Sequence, residues 1–226
     1  MGPPAIPPRG SWRVLSQDPR RGRLVVLRTN GDTKQPGAVW SHNLPSMPVQ
    51  VAFLRGINLG SHNRISMPEL RECLAEAGFD DVRTYLQSGN VVLSSQAPPE
   101  ELARTCKREI AARFGLEIDV IVRTRDELAK VIKHNPFAQV AVDPKRYQVS
   151  FLAAKPKVDA VAKMQAAVVE PEQFVVIGRE AYAWHPNGIG RSKLWNQLAG
   201  RRLGVAATAR NWTTVTKLLE MADEAI

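Results

Sequence analysis

Residues 49–70 read VQVAFLRGINLGSHNRISMPEL and residues 84–95 read TYLQSGNVVLSS. Val49–Leu54 is a run of strand formers, and both of its alternating faces are substantially apolar. Ser66-Met67-Pro68-Glu69 has the form of a capping box with proline in the first turn. It opens a helix that carries Leu70, Leu74 and Ala77 on one face and stops at Gly78. Thr84–Gln87 and Asn90–Ser94 read as strands joined by a tight turn at Ser88-Gly89, where glycine supplies the positive φ that hairpin turns require. Pro98 and Pro99 start a second helix that runs to Phe114 and ends at Gly115, and Glu117–Arg123 reads as a fourth strand. The order β-α-β-β-α-β is that of a ferredoxin-like plait.

The rest of the chain echoes this order. Thr124-Arg125-Asp126-Glu127 is another capping box, opening a helix that runs to Asn135-Pro136. A strand at Gln148–Ala153, a helix at Val158–Val168 and a hairpin at Phe174–Trp184 follow. Two helices, at Ser192–Leu198 and Trp212–Ala222, complete the series. The expected fold class is α+β, with two ferredoxin-like subdomains packed together, residues 47–124 and a degenerate copy at 125–226. A lone plait leaves one sheet face wet, so the two-sided apolarity of Val49–Leu54 and Asn90–Ser94 points to a first sheet covered by the second half.

Residues 1–46 differ in character. Seven prolines and one short apolar run, Leu24–Leu27, bury too little apolar surface to offset the entropy of ordering, and the segment is expected to be a largely disordered extension. The formal net charge of +9 is also uneven. Residues 1–48 hold seven Lys/Arg against two Asp, or +5, which leaves +4 for the remainder and only a mildly basic folded part. No run approaches the roughly 20 apolar residues of a membrane span, so the cytoplasm is the expected location. Cys73 and Cys106 sit among apolar residues at helical spacing and read as core. No zinc, P-loop, dinucleotide or nucleophile-elbow motif is present, so neither a cofactor nor a metal is expected.

The polar residues in the loops carry the functional interest. Arg55-Gly56-Ile57-Asn58-Leu59-Gly60-Ser61-His62-Asn63-Arg64 follows a strand and is longer than a typical connection. Strand ends followed by glycine-bearing loops approach phosphates and carboxylates closely. Gln87 and Asn90 exceed what their turn demands. Ser192 and Lys193 sit at a helix start that would attract an anion. Asn211 reads as the cap of the last helix, with Thr208 and Arg210 just outside it, and a guanidinium grips phosphate or carboxylate with paired bonds. With Thr208-Ala209-Arg210-Asn211-Trp212 added, the pattern resembles the bacterial family called domain of unknown function 1697. That resemblance implies tandem plaits and a signature turn at Gln87–Asn90, but no activity.

The candidate ligand-binding set is therefore Arg55, Asn58, Asn63, Gln87, Asn90, Ser192, Lys193, Thr208 and Arg210. No catalytic residue is assigned, although His185 lies near Ser192 in sequence. The leading expectation is a small anionic ligand held in a cleft between the subdomains. A nucleic-acid-binding module is the alternative, weakened because Phe53 is the lone aromatic on the central strands. A partner-binding protein without a ligand is the third reading. Oligomeric state stays open.

Overall fold

The structure, a computed structural model, describes residues 12–17, 24–28, 47–60, 63–199 and 202–225. The chain separates into two compact units, Met1–Ser46 and Met47–Ile226. In the first, β1 (Trp12–Gln17) pairs antiparallel with β2 (Leu24–Arg28). The expectation of disorder meets this strand pair, and the rest of residues 1–46 lies outside the described residues.

The second unit is two plaits in tandem. The first contains β3 (Val49–Leu54), α1 (Met67–Glu76), β4 (Asp80–Tyr85), β5 (Asn90–Ser94), α2 (Pro99–Phe114) and β6 (Val120–Thr124), followed by α3 (Arg125–Lys133). The second contains β7 (Tyr147–Leu152), α4 (Val158–Ala166), β8 (Gln173–Ile177), β9 (Glu180–Trp184), α5 (Lys193–Ala199) and β10 (Ala207–Asn211), followed by α6 (Trp212–Asp223). Both sheets are antiparallel, with strand orders β4-β5-β3-β6 and β8-β9-β7-β10, so each plait repeats the topology of the other. The α+β class with two packed plaits is thus the fold of this chain.

Three apolar cores explain the layering. Val49, Val51 and Phe53 on β3 meet Tyr147, Val149 and Phe151 on β7 in a central core, together with Leu128 and Val131 of α3 and Val215 and Leu218 of α6. The Phe53 and Phe151 rings stack there with centroids 4.1 Å apart. The alternate residues Ala52 and Leu54 face outward onto Leu70 and Leu74 of α1 and Leu102 and Cys106 of α2. On the far side, Leu152, Ala181 and Ala183 pack against Met164 of α4 and Leu194 and Leu198 of α5. Period-two alternation on each strand thus feeds two cores, which is why β3 is buried along its whole length. Both cysteines are free and buried, and desolvation pushes the Cys106 thiol up to about 12.

Several local expectations change. The Thr124–Glu127 capping box is complete, with Glu127 N donating to Thr124 Oγ1 and Thr124 N to the Glu127 carboxylate. Ser66 also occupies an N-cap position, but its side chain makes no cap bond. The fourth strand is Val120–Thr124, shorter at its start than Glu117–Arg123. The β4–β5 connection is a four-residue turn, Leu86 to Gly89, closed by the Tyr85–Asn90 pair, and not the two-residue turn at Ser88-Gly89. Thr208–Asn211 is no loop either, because it forms most of β10, which pairs with β7 at the edge of its sheet.

Candidate functional site

A cleft of about 660 Å³ opens where the first plait meets the second. One wall is Leu54 to Ile57, Leu59 and Asn63, with Ser88 of the hairpin turn, Lys107 of α2 and Glu117 to Asp119 before β6. The other is Ser150 of β7, Trp195 and Leu198 of α5 and Ala207 to Arg210 of β10. Arg55, Asn63, Thr208 and Arg210 from the sequence-derived set line it, while Asn58, Gln87, Asn90, Ser192 and Lys193 do not.

The loop from β3 into α1 is held by its asparagines. Asn58 accepts from Ile65 N at 2.9 Å and donates Nδ2 to the carbonyls of Ile65 and Gln87, so one carboxamide closes the loop and ties it to the hairpin turn. Asn63 donates Nδ2 to Gly56 O at 3.0 Å. Both asparagines have positive φ, 52° and 49°, the left-handed region that asparagine tolerates better than other side-chain-bearing residues. Gln87 is exposed, and its carbonyl serves Asn58. Arg55 pairs with Asp119 at 3.4 Å and Lys107 with Glu117 at 3.9 Å, each a partly or largely exposed pair at the rim.

Arg210 behaves differently from the expected anion clamp. Its Nε donates to Asn90 Oδ1, its Nη1 to Thr208 Oγ1 and Ala209 O, and its Nη2 to the carbonyls of Leu54, Ser88 and Gly89. All five N–H groups are taken by protein acceptors, so none remains for a ligand. The guanidinium also sits over the Phe53 ring, 5.6 Å from its centroid. Burial alone pushes its pKa down to about 10, and none of its acceptors is a carboxylate. Arg210 ties β10 of one plait to the strand end and turn of the other, and Asn90, fully buried, orients it while donating to Tyr85 O and Ser88 Oγ.

The other plait contains the counterpart. Arg123 of β6 donates Nη2 to the carbonyls of Leu152 and Arg179 and Nε to Glu180, and lies 5.8 Å from the Phe151 centroid. Arg123 stands to Leu152, Arg179, Glu180 and Phe151 as Arg210 stands to Leu54, Gly89, Asn90 and Phe53. The supporting bonds match as well, Leu54 N to Gly89 O at 2.8 Å and Leu152 N to Arg179 O at 2.9 Å. Desolvation holds the Arg123 guanidinium below its ordinary value, but Glu180 opposes that shift. The ties differ in charge at the Nε partner, a carboxylate at 180 and a neutral carboxamide at 90, and Arg210 gains Thr208 Oγ1 and Ser88 O as further neutral acceptors.

The plaits also differ in their loops. Residues 55–66 link β3 to α1, whereas 153–157 suffice between β7 and α4. The β4–β5 turn has four residues against two, Gly178 and Arg179, between β8 and β9. Both extensions of the first plait border the cleft and are bonded to each other through Asn58. At their junction Gly89 has φ +73°, and a Cβ there would lie 2.6 Å from that of Leu54.

His185 and Ser192 do meet. Ser192 Oγ lies 2.9 Å from His185 Nδ1, and Glu172 Oε1 lies 3.3 Å from the same nitrogen. A hydrolytic triad needs nucleophile and carboxylate on opposite ring nitrogens. Here both use Nδ1, Nε2 is buried without a partner among the described residues, and the histidine is fully enclosed. Ser192 also accepts from Trp195 N at 2.8 Å and thus caps α5, a seven-residue helix. The cluster braces α5 and with it the cleft wall bearing Trp195.

Sequence reasoning missed Lys107, Asp119, Ser150 and Trp195 as cleft residues. Lys107 lies on the polar side of an amphipathic helix and Asp119 in a short connection, patterns that solvated residues share. Only the strand assignment of Thr208–Asn211 would have brought Ser150 opposite Ala209, its register partner.

No curated protein matches the sequence. Among solved structures, one described as a conserved bacterial protein from Streptococcus pneumoniae superposes with a TM-score of 0.65 at 20% identity, covering 78% of this chain and 99% of that one. Such a likeness shows the fold. Residues 47–182, more than half of the chain, match the profile described as protein of unknown function DUF1697, and the chain belongs to that family.

Proposed function

We propose that this chain is a ligand-binding protein whose inter-plait cleft takes a small molecule bearing a phosphate or carboxylate group. The observation that carries the reading is that both extensions distinguishing the first plait from its twin border this one cleft. A plait needs neither extension to fold, since the second plait lacks both. The cleft volume falls in the range of small-molecule sites. Arg55 and Lys107 reach the rim in long ion pairs with Asp119 and Glu117, and exposed pairs of this kind contribute only about 0–1 kcal/mol, so they re-pair with an incoming anion at little cost. The sheet face that RNA-recognition plaits use is unsuited to bases here, because Phe53 is fully buried against Phe151. Among the described residues no helix is long and apolar enough to cross a membrane. Free buried cysteines suit the reducing cytoplasm, where we place the protein.

The test is calorimetry of the full chain with inorganic phosphate, acetate, adenosine 5′-monophosphate and adenosine 5′-triphosphate, at low and high salt. Saturable binding of at least one probe that persists at high salt is expected. The double variant Arg55→Ala, Lys107→Ala should weaken it by about tenfold or more, the loss of roughly 1.4 kcal/mol. Absence of binding, or binding that high salt abolishes as it does for backbone-phosphate contacts, would refute the reading.

A further inference from the structure

Both arginine ties hold carbonyls of the strand end, of the turn and of the residue before the arginine, and each has a side-chain oxygen on Nε, but only that of Arg123 is charged. Arg123 has Glu180 on its Nε at 2.8 Å, so a carboxylate neutralises that buried cation. Arg210, buried to a similar degree, has Asn90 Oδ1 in the same position, a threonine hydroxyl and four backbone carbonyls. Dipolar oxygens satisfy its N–H groups but leave its unit charge in place. Among the described residues, the remaining ionised groups lining the cleft are two cations and two carboxylates, Arg55 with Asp119 and Lys107 with Glu117, which cancel. The cleft therefore carries, among the described residues, one uncompensated positive charge, and it sits in the wall.

We infer that Arg210 is the electrostatic determinant of ligand choice in the cleft, acting through space without touching the ligand, and that the ligand supplies the single negative charge Glu180 supplies in the twin site. This rests on the anion-binding reading above and deepens it. A carboxylate or a phosphate carrying one charge completes the cleft, whereas a polyphosphate over-fills it and must displace Asp119 or Glu117. Charge in a poorly solvated wall acts over several ångströms because little water screens it. The missing counter-ion is also a substitution that the twin site already contains.

The test compares Thr208→Asp with Thr208→Asn. Thr208 Oγ1 accepts from Arg210 Nη1 at 2.7 Å, so an aspartate there gives the guanidinium its carboxylate from the cleft side, and asparagine controls for shape. Binding of inorganic phosphate, acetate and adenosine 5′-monophosphate is read by calorimetry, and stability by urea denaturation. Thr208→Asp should fold, with a denaturation midpoint at or above that of Thr208→Asn, and bind each active probe about tenfold or more weakly than Thr208→Asn does. Asn90→Asp, the change that copies Glu180, should shift binding in the same direction. Equal binding by the Asp and Asn variants at 208 would reduce Arg210 to a structural tie and overturn the inference while leaving the cleft reading standing. A Thr208→Asp chain that fails to fold would also overturn it, since a carboxylate beside an uncompensated cation should stabilise. If the parent chain binds none of the probes, the cleft reading itself falls.

Discussion

Two buried arginines do more to join the halves than any surface pair. Arg210 satisfies carbonyls of Leu54, Ser88 and Gly89, and lysine has three N–H groups where five are used. Arg210→Lys should therefore cost about 2–3 kcal/mol in urea denaturation, because buried acceptors left open cost about 1–3 kcal/mol. Arg123→Met should cost roughly 3–5 kcal/mol, since it strands Glu180 beside the central core. His185 gives a pH signature. Burial lowers its pKa, and Glu172 only partly opposes this, so the folded protein favours the neutral ring. Stability is then fully present above the unfolded value of about 6.5 and is lost as pH falls from there toward the lower folded value. Denaturation midpoints measured from pH 8 to 5 should decline below that point, and His185→Gln should flatten the part of the decline that exceeds the carboxylate contribution. Arg210 was legible as an exceptional residue from its position beside a helix cap. Its role was not, because nothing local to Thr208–Trp212 indicates that the acceptors lie about 120 residues away.

At the level of elements, sequence signals succeeded where the physics is local. Glycine after α2 takes the left-handed conformation at φ 68°, and the Thr124 box closes as read. Ser66-Met67-Pro68-Glu69 has the same letters of a box without its bonds, so the two motifs should separate in experiment. Thr124→Ala should cost about 1 kcal/mol and Ser66→Ala close to nothing, measured by chemical denaturation. The β4–β5 turn misled because Ser-Gly is a hairpin signal in isolation, while the Asn58 bond to Gln87 O selects a longer turn that places Leu86 at φ 57°. Gly89→Ala combines positive φ with a Cβ 2.6 Å from that of Leu54 and 2.9 Å from Ile57 Cδ1. It should destabilise by at least about 2 kcal/mol, well above the usual effect of a single substitution, and should distort the cleft with it. Strand β10 escaped detection because ATARN has weak strand propensity, and its pairing with β7 comes from tertiary context.

Across the whole molecule, duplication governs both stability and the site. The central core draws Phe53 and Phe151, α3 and α6 from both plaits, so neither sheet can keep its inner face buried without the other. Residues 47–226 should unfold in one transition, with tryptophan fluorescence, which reports Trp184, Trp195 and Trp212 in the second plait, coinciding with circular dichroism. Separate transitions would mean that the plaits are independent. The tandem plait was readable from the order of elements, but the matched ties were not, because the equivalent positions hold Asn90 against Glu180 and Gly89 against Arg179. Divergence between the copies is what marks the cleft. Amide chemical shifts of the isotope-labelled full chain should be followed during titration with adenosine 5′-monophosphate and inorganic phosphate. Saturable shifts confined to the neighbourhood of Gly56, Asn63, Ser88, Lys107 and Thr208 would place the anion in the cleft. No saturable shift with either, or shifts centred on other basic residues, would contradict it.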